Sequence, residues 1–128
     1  IKDAKIDLTE INTVNMHGTS TQLGDLAEAK ALYDVFGEHL YSMNINSTKS
    51  MTGHLLGAAG AIEAISSILS INNGIVPPTI NHQTNDDAID IKINFTFNEA
   101  QKREVNFAMS NTFGFGGHNA CVIFKKFE

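Results

Sequence analysis

A layered α/β unit is what this sequence of 128 residues predicts. Three observations carry that expectation. Elements follow the order strand, helix, strand, helix and then strands; apolar residues switch between a two-residue and a helical spacing; no internal repeat or low-complexity stretch interrupts them. The length fits one compact unit, or part of a larger one.

From Asn12 to His17 polar and apolar residues alternate, with Val14 and Met16 on one face and Thr13, Asn15 and His17 on the other, as in a half-buried strand. After the polar loop HGTST, Asp25 with Glu28 three positions later reads as a capping box. Leu26, Ala29, Tyr33 and Phe36 follow at helical spacing, and Gly37 ends the helix. A short strand over Met43 to Asn46 leads into NSTKSMTGHLLGAAG, residues Asn46 to Gly60. Ala61, Ile62, Ala64, Ile65, Ile68, Leu69 and Ile71 then cover most of a helix surface, which predicts a centrally buried helix. Asn73-Gly74 closes it and Pro77-Pro78 forbids continuation. Asp86, Asp87 and Asp90 read as an exposed loop and not as a metal site. Ile91 to Phe97 alternates as a strand, Val105 to Met109 reads as another, and Asn119 to Phe124 as a buried one. Phe113-Gly114-Phe115-Gly116-Gly117 is too glycine-rich for a strand interior, so backbone is expected to approach a ligand there.

Composition narrows the function. Hydrophobic residues make up 42% and charged residues 18%, which are globular values, and the net charge is -5. Basic residues are scattered, or paired only at Lys102-Arg103 and Lys125-Lys126, so neither a nucleic-acid nor an anionic-membrane surface is expected. No apolar run has the length of a bilayer span, and one cysteine rules out an internal disulfide framework; a reducing cytosol is the default expectation. The opening IKDAKIDLTEI has neither an initiator methionine nor a signal-like character, and reads as a fragment or processed product.

Charge placement marks the site. Between Glu38 and Asp86 the only formal charges are Lys49 and Glu63. Isolated charges in an apolar, glycine-rich neighbourhood are costly to bury unless paired, so the segment reads as a site more than as a solvated face.

Three motifs, NMHGTST at Asn15 to Thr21, NSTKSMTGHLLGAAG at Asn46 to Gly60 and SNTFGFGGHNA at Ser110 to Ala120, stand in order along the chain. Together with PPTIN at Pro77 to Asn81 and the ending VIFKKFE, they closely resemble the carboxy-terminal half of the elongating β-ketoacyl-acyl-carrier-protein synthases. The resemblance implies a thiolase-like fold, of which residues 1–128 form one of two pseudo-symmetric halves, with the active site where the halves meet. It also implies that the nucleophilic cysteine belongs to the absent amino-terminal half and that this chain alone is inactive. Cys121 has no such setting and reads as a small apolar residue of the final hairpin.

The reaction the resemblance implies is a decarboxylative Claisen condensation, in fatty-acid elongation, between an acyl-enzyme and a malonyl-carrier thioester. His17 and His54 match the pair of imidazoles that donate hydrogen bonds to the developing thioester oxyanion. The helix after His54 supplies a reason for that ring to stay neutral, whereas His17 shows none. Lys49 matches a lysine that orients the site through a buried partner, here Glu63. The resemblance further groups Asn15, Glu63, Ser110 and Asn111 around a structural monovalent cation or water; the residues themselves fit a hydrogen-bond network equally well. Thr19 and Thr21 match hydroxyls that hold the phosphopantetheine arm, although as residues they also read as a loop that caps the next helix. In the same comparison Phe113 and Gly116 line the substrate path, and Phe115 supplies an oxyanion-hole amide and a gating ring. Met16 and His118 depart from the commoner family residues; Met16 should affect packing, and His118 borders the gate loop. His39 and His82 read as surface residues. No cofactor is implied beyond the carrier's phosphopantetheine, and the implied partners are acyl carrier protein, the absent half and a second copy of the full-length protein. A non-catalytic partner subunit, similar to the chain-length factors of polyketide or pigment synthases, is the alternative; its kind tends to lose the catalytic residues. An initiating synthase fits less well, since it carries asparagine where His54 stands.

Overall fold

In the computed structural model, which describes residues 1–127, a four-stranded mixed sheet separates two helical layers. Strand β1 (Thr13–Asn15) sits at its centre, flanked in parallel by β2 (Asn44–Asn46) and β5 (Phe107–Gly114), with β6 (His118–Lys125) antiparallel outside β5. A small separate ribbon pairs β3 (Ile75–Val76) with β4 (Gln101–Lys102). Helix α1 (Gln22–Phe36) packs on one face of the sheet through Leu32 and Phe36, against Ile11, Val14, Ile45, Phe107 and Met109. Helix α3 (Ala59–Asn73) covers the other face, where Ile71 meets Val76, Val105 and Ala108. Between β2 and α3 lie a helical turn, α2 (Lys49–Thr52), and a 3-10 turn over Leu56–Ala58.

Strand β1 is buried on both faces, with Val14 and Met16 towards the α1 cluster. The half-buried strand that alternation predicts gives way because Thr13 and Asn15 are also covered, in the seam beneath Ser66, Ser67 and Ser70 of α3. Polar residues are admitted there because they are bonded: Thr13 Oγ1 donates to the Asn44 carbonyl at 2.8 Å.

Several elements differ from the sequence expectation for identifiable reasons. The Asp25–Glu28 capping box does not form, because α1 begins earlier, at Gln22 with Thr21 as N-cap. Asp25 instead accepts from the Ser20 amide at 3.2 Å, and Glu28 turns into the interior. The buried stripe of α1 accordingly runs through Leu32 and not Tyr33, which is exposed. A real capping box occurs upstream, where Asp7 and Glu10 close a 3-10 turn over Leu8–Glu10.

Helix α3 is turned the opposite way from an apolar central helix. Glu63, Ser67 and Ser70 face inward, while Ile62, Ile65, Ile68 and Leu69 are 36 to 54% exposed. The inward serines satisfy themselves along the helix, Ser67 Oγ donating to the Glu63 carbonyl at 2.9 Å and Ser70 Oγ to that of Ser66 at 3.0 Å. Gly74 ends the helix in a left-handed conformation, its amide donating to the Ser70 carbonyl.

The alternation over Ile91 to Phe97 produces no strand, only an isolated bridge between Thr79 and Phe97. Side-chain caps bend it: the Lys92 amide donates to Asp90 and the Thr96 amide to Asn94, and Thr96 and Asn98 take left-handed φ values of +50° and +61°. Conversely β5, expected to stop at Met109, continues through Asn111 and Phe113 to Gly114, paired residue for residue with β6. The turn is therefore confined to Phe115-Gly116-Gly117, where the last two adopt φ of +82° and +83°. Strand β6 lies at the sheet edge, so the expected burial of Asn119 to Phe124 fails and Cys121 is exposed. Its thiol is nevertheless shielded enough that burial holds it above the ordinary range, the opposite of an activated nucleophile.

Candidate active site

The site gathers where the parallel strands β1 and β2 end, the place at which open α/β sheets expose loops to ligands. His17 follows β1 by two residues, Lys49 opens α2, and His54 lies in the loop between α2 and α3. The two imidazoles come together edge to face, ring centres 5.4 Å apart at 83°. Phe113 of β5 packs on the other side of His17, with ring centres also 5.4 Å apart. Two histidines 37 positions apart in sequence thus form one pair.

The Leu56 amide donates to His54 Nδ1 at 3.2 Å. A ring nitrogen that accepts has no proton, so the neutral ring carries its hydrogen on Nε2, free to donate. The contact comes from one backbone amide and not from the start of α3, which begins only at Ala59. For His17 the structure supplies a reason for a neutral ring that the sequence did not show. Burial, followed by the positive charge of Lys49 and the neighbouring His54, holds its pKa below the ordinary imidazole value. The His17 ring is therefore biased towards its neutral form.

Lys49 and Glu63 form a buried ion pair, their side chains 5% and 2% exposed. Glu63 Oε1 takes the ammonium, while Oε2 has no partner among the described residues. In a site this dry the charge acts at short range with little screening, as on His17.

Glu28 is the residue that sequence reasoning missed as part of the site. From inside α1 it accepts from the His17 amide through Oε1 and from the Gly18 amide through Oε2, both at 3.0 Å, and Asn111 Nδ2 reaches Oε1 at 3.3 Å. Burial pushes its carboxyl up, against the opposing pull of these donors and of Lys49. The sequence signal was present, an acidic residue on the helix face towards the core, but the capping-box reading absorbed it.

The group Asn15, Glu63, Ser110 and Asn111 is distributed over separate bonds. Asn15 exchanges two hydrogen bonds with Thr48, Asn111 goes to Glu28, Glu63 goes to Lys49, and Ser110 lies opposite Asn15 in the sheet. Thr19 and Thr21 stand at the rim with their hydroxyls 3.3 Å apart; Thr21 is the N-cap of α1 without a side-chain cap bond. Phe115 is fully exposed at the hairpin tip with Gly116, so the structure brings Phe113, and not Phe115, to the imidazoles. His118 packs beside Gly116 on that same hairpin. Neither His39 nor His82 is a free surface residue. His39 is half-buried with Nε2 3.0 Å from the Ile11 carbonyl oxygen, and His82 stacks on Phe97 at 3.5 Å.

Beside Lys49 and His54 opens a cleft of about 1090 Å³, whose walls also include Gly18, Thr19, Thr79, His82 and Phe97. The arrangement offers two imidazole N–H donors, beside the buried Lys49–Glu63 pair, to a group that becomes negative.

Comparison with known proteins shows the family and the fold. Residues 1–83 match the family described as β-ketoacyl synthase, C-terminal domain. The 3-oxoacyl-[acyl-carrier-protein] synthase 2 of Staphylococcus aureus (strain COL) is 53% identical over 126 residues, covering 98% of this chain and 30% of the relative. A β-ketoacyl synthase from Burkholderia phymatum superposes with a TM-score of 0.91 at 40% identity, over 99% of this chain and 30% of that one. A ketosynthase bound to the hexaketide, in complex with its type II polyketide acyl-carrier protein, gives 0.93 at 35% identity, over 99% and 31%. The chain spans about a third of the length of the relatives it matches.

Proposed function

The chain belongs to the β-ketoacyl synthase family, as a carboxy-terminal domain with the thiolase-like fold, and from that premise we propose that it supplies the decarboxylating wall of a condensing active site. The substrate is a malonyl thioester on an acyl carrier protein. Its C–C bond to the carboxylate breaks, carbon dioxide leaves, and the electron pair moves onto the thioester as an enolate. His17 and His54 Nε2 donate to the enolate oxygen as its charge develops, and the enolate carbon then attacks the acyl thioester held on a cysteine outside this chain, expelling the thiolate. The observation that carries the reading is the pair of facing imidazoles, 5.4 Å apart, beside the buried Lys49–Glu63 pair.

Thr19 in the cleft wall, with Thr21 beside it, holds the phosphopantetheine arm, and the hairpin with Phe113, Phe115 and Gly116 guards the acyl side. No cofactor of the protein's own is needed, since decarboxylation itself furnishes the electron pair. The full-length protein acts as a cytoplasmic homodimer, and the acidic carrier docks mainly on the part of the enzyme outside this chain, because this chain carries a net charge of -5. A partner subunit of the chain-length-factor kind is disfavoured by intact His17, Lys49 and His54.

The test separates this chain from the rest of the synthase. The purified chain is expected to show no condensation of acyl and malonyl carrier substrates, and activity is expected to appear when it is co-expressed with the amino-terminal part. Condensation by the chain alone would contradict the proposal.

A further inference from the structure

The loops that carry the site come from different strands, and one side chain joins them. Ser47, at the end of β2 and only 6% exposed, donates its hydroxyl to the Gly18 carbonyl at 2.9 Å. Its own amide donates to Thr79 Oγ1 at 2.9 Å, which ties the junction to the wall of the cleft. The contact is tight: Gly18 has φ of +36°, and a β-carbon there would lie 2.7 Å from Ser47 Cβ and 2.9 Å from Ser47 Oγ. Gly18 is thus gripped from two sides, its amide by Glu28 and its carbonyl by Ser47. Its neighbour in sequence is His17, while Lys49 follows Ser47 by two positions and His54 by seven.

We propose, resting on the reading of the site given above, that Ser47 is a positioning residue that fastens the His17 loop to the Lys49–His54 segment and so sets the separation of the two imidazoles. Ser47 acts through His17 and makes no contact with the reacting atoms. A hydrogen-bonded spacer of this kind matters because two donors aimed at one oxygen must both be in place, and a misplacement near 1 Å can cost about 100-fold in rate. Acylation of the nucleophilic cysteine does not develop charge at that same oxygen, so it is not expected to depend on the junction.

The experiment uses the complete synthase and measures two half-reactions, release of carbon dioxide from malonyl carrier protein and transfer of an acyl group from acyl carrier protein to the enzyme. Ser47→Ala is expected to lower kcat for decarboxylation by roughly 10- to 100-fold with KM within about 3-fold, and to leave acyl transfer within about 3-fold of the parent enzyme. Ser47→Thr keeps the hydroxyl and is expected to recover most of the decarboxylation rate. An Ala variant that decarboxylates normally overturns the proposal, as does a loss of both half-reactions together in folded protein. If Ser47→Ala does not fold, Ser47→Thr decides: folded but deficient in decarboxylation, it overturns the proposal, and active, it supports it. Failure of the parent enzyme to decarboxylate malonyl carrier protein would instead defeat the reading of the site itself.

Discussion

At the scale of the residue, Lys49, Glu63 and His17 show how burial turns ordinary side chains into a poised site. Burial and the Lys49 charge lower the pKa of His17, so the folded protein refuses a proton that the unfolded chain accepts as pH falls below the ordinary imidazole value near 6.5. Stability contributed by the neutral ring is therefore complete above that value and declines as pH falls towards the folded pKa. Decarboxylation by the complete enzyme should likewise hold level from neutral pH down to that value and show its acid limb below it; an acid limb at or above pH 7 would contradict the assignment. The ion pair makes a separate prediction. Lys49→Met leaves the Glu63 carboxylate buried and unpaired, and should cost about 3–5 kcal/mol in urea unfolding of the complete enzyme, whereas the double variant Lys49→Met, Glu63→Leu should cost less than the single one. Equal losses would show that the pair is not coupled.

At the scale of the element, α3 bears the most information because its faces are reversed. Ser67 sits against the sheet at 4% exposure, and Ser67→Leu forces extra volume into a closed seam, so its urea midpoint in the complete enzyme should fall by the equivalent of about 1–3 kcal/mol. The exposed Ile65 predicts the opposite in the isolated chain: Ile65→Ser should change stability by less than about 0.5 kcal/mol while reducing concentration-dependent light scattering. A large loss from Ile65→Ser would mean that this face is already packed. These faces also mark the limit of what the sequence discloses. Alternation located β1, and glycine punctuation located the ends of α1 and α3, because those signals are local. Apolar residues around most of α3 did not disclose which side meets the sheet, since the inward serines bond along their own helix and need no partner visible in sequence. The failed strand at Ile91 to Phe97 has the same origin: side-chain caps from Asp90 and Asn94 override a clean alternation. At the site, the histidine, lysine and glutamate positions were legible from motifs and isolated charge. Glu28 was not, because its partners are backbone amides of the His17–Gly18 loop, which a list of side chains does not display.

At the scale of the whole molecule, the chain is one wall of a cleft, with an apolar helix face and an edge strand presented outward. The isolated chain should consequently bind a hydrophobic dye and associate as concentration rises, and both effects should disappear when it is produced together with the amino-terminal part; a dye-silent monomer would contradict an uncovered interface. Its acidic balance predicts only weak binding of acyl carrier protein, even at low salt where charge effects are largest. The catalytic expectations depend on one claim, that His17 and His54 jointly stabilise the enolate oxygen. The most direct measurement is carbon dioxide release from malonyl carrier protein by the complete enzyme carrying His17→Ala, His54→Ala, or both. Each single variant should lose about 100-fold or more, and the double variant less than the product of the two losses, because the donors act on one oxygen. Normal decarboxylation by either single variant would contradict the account.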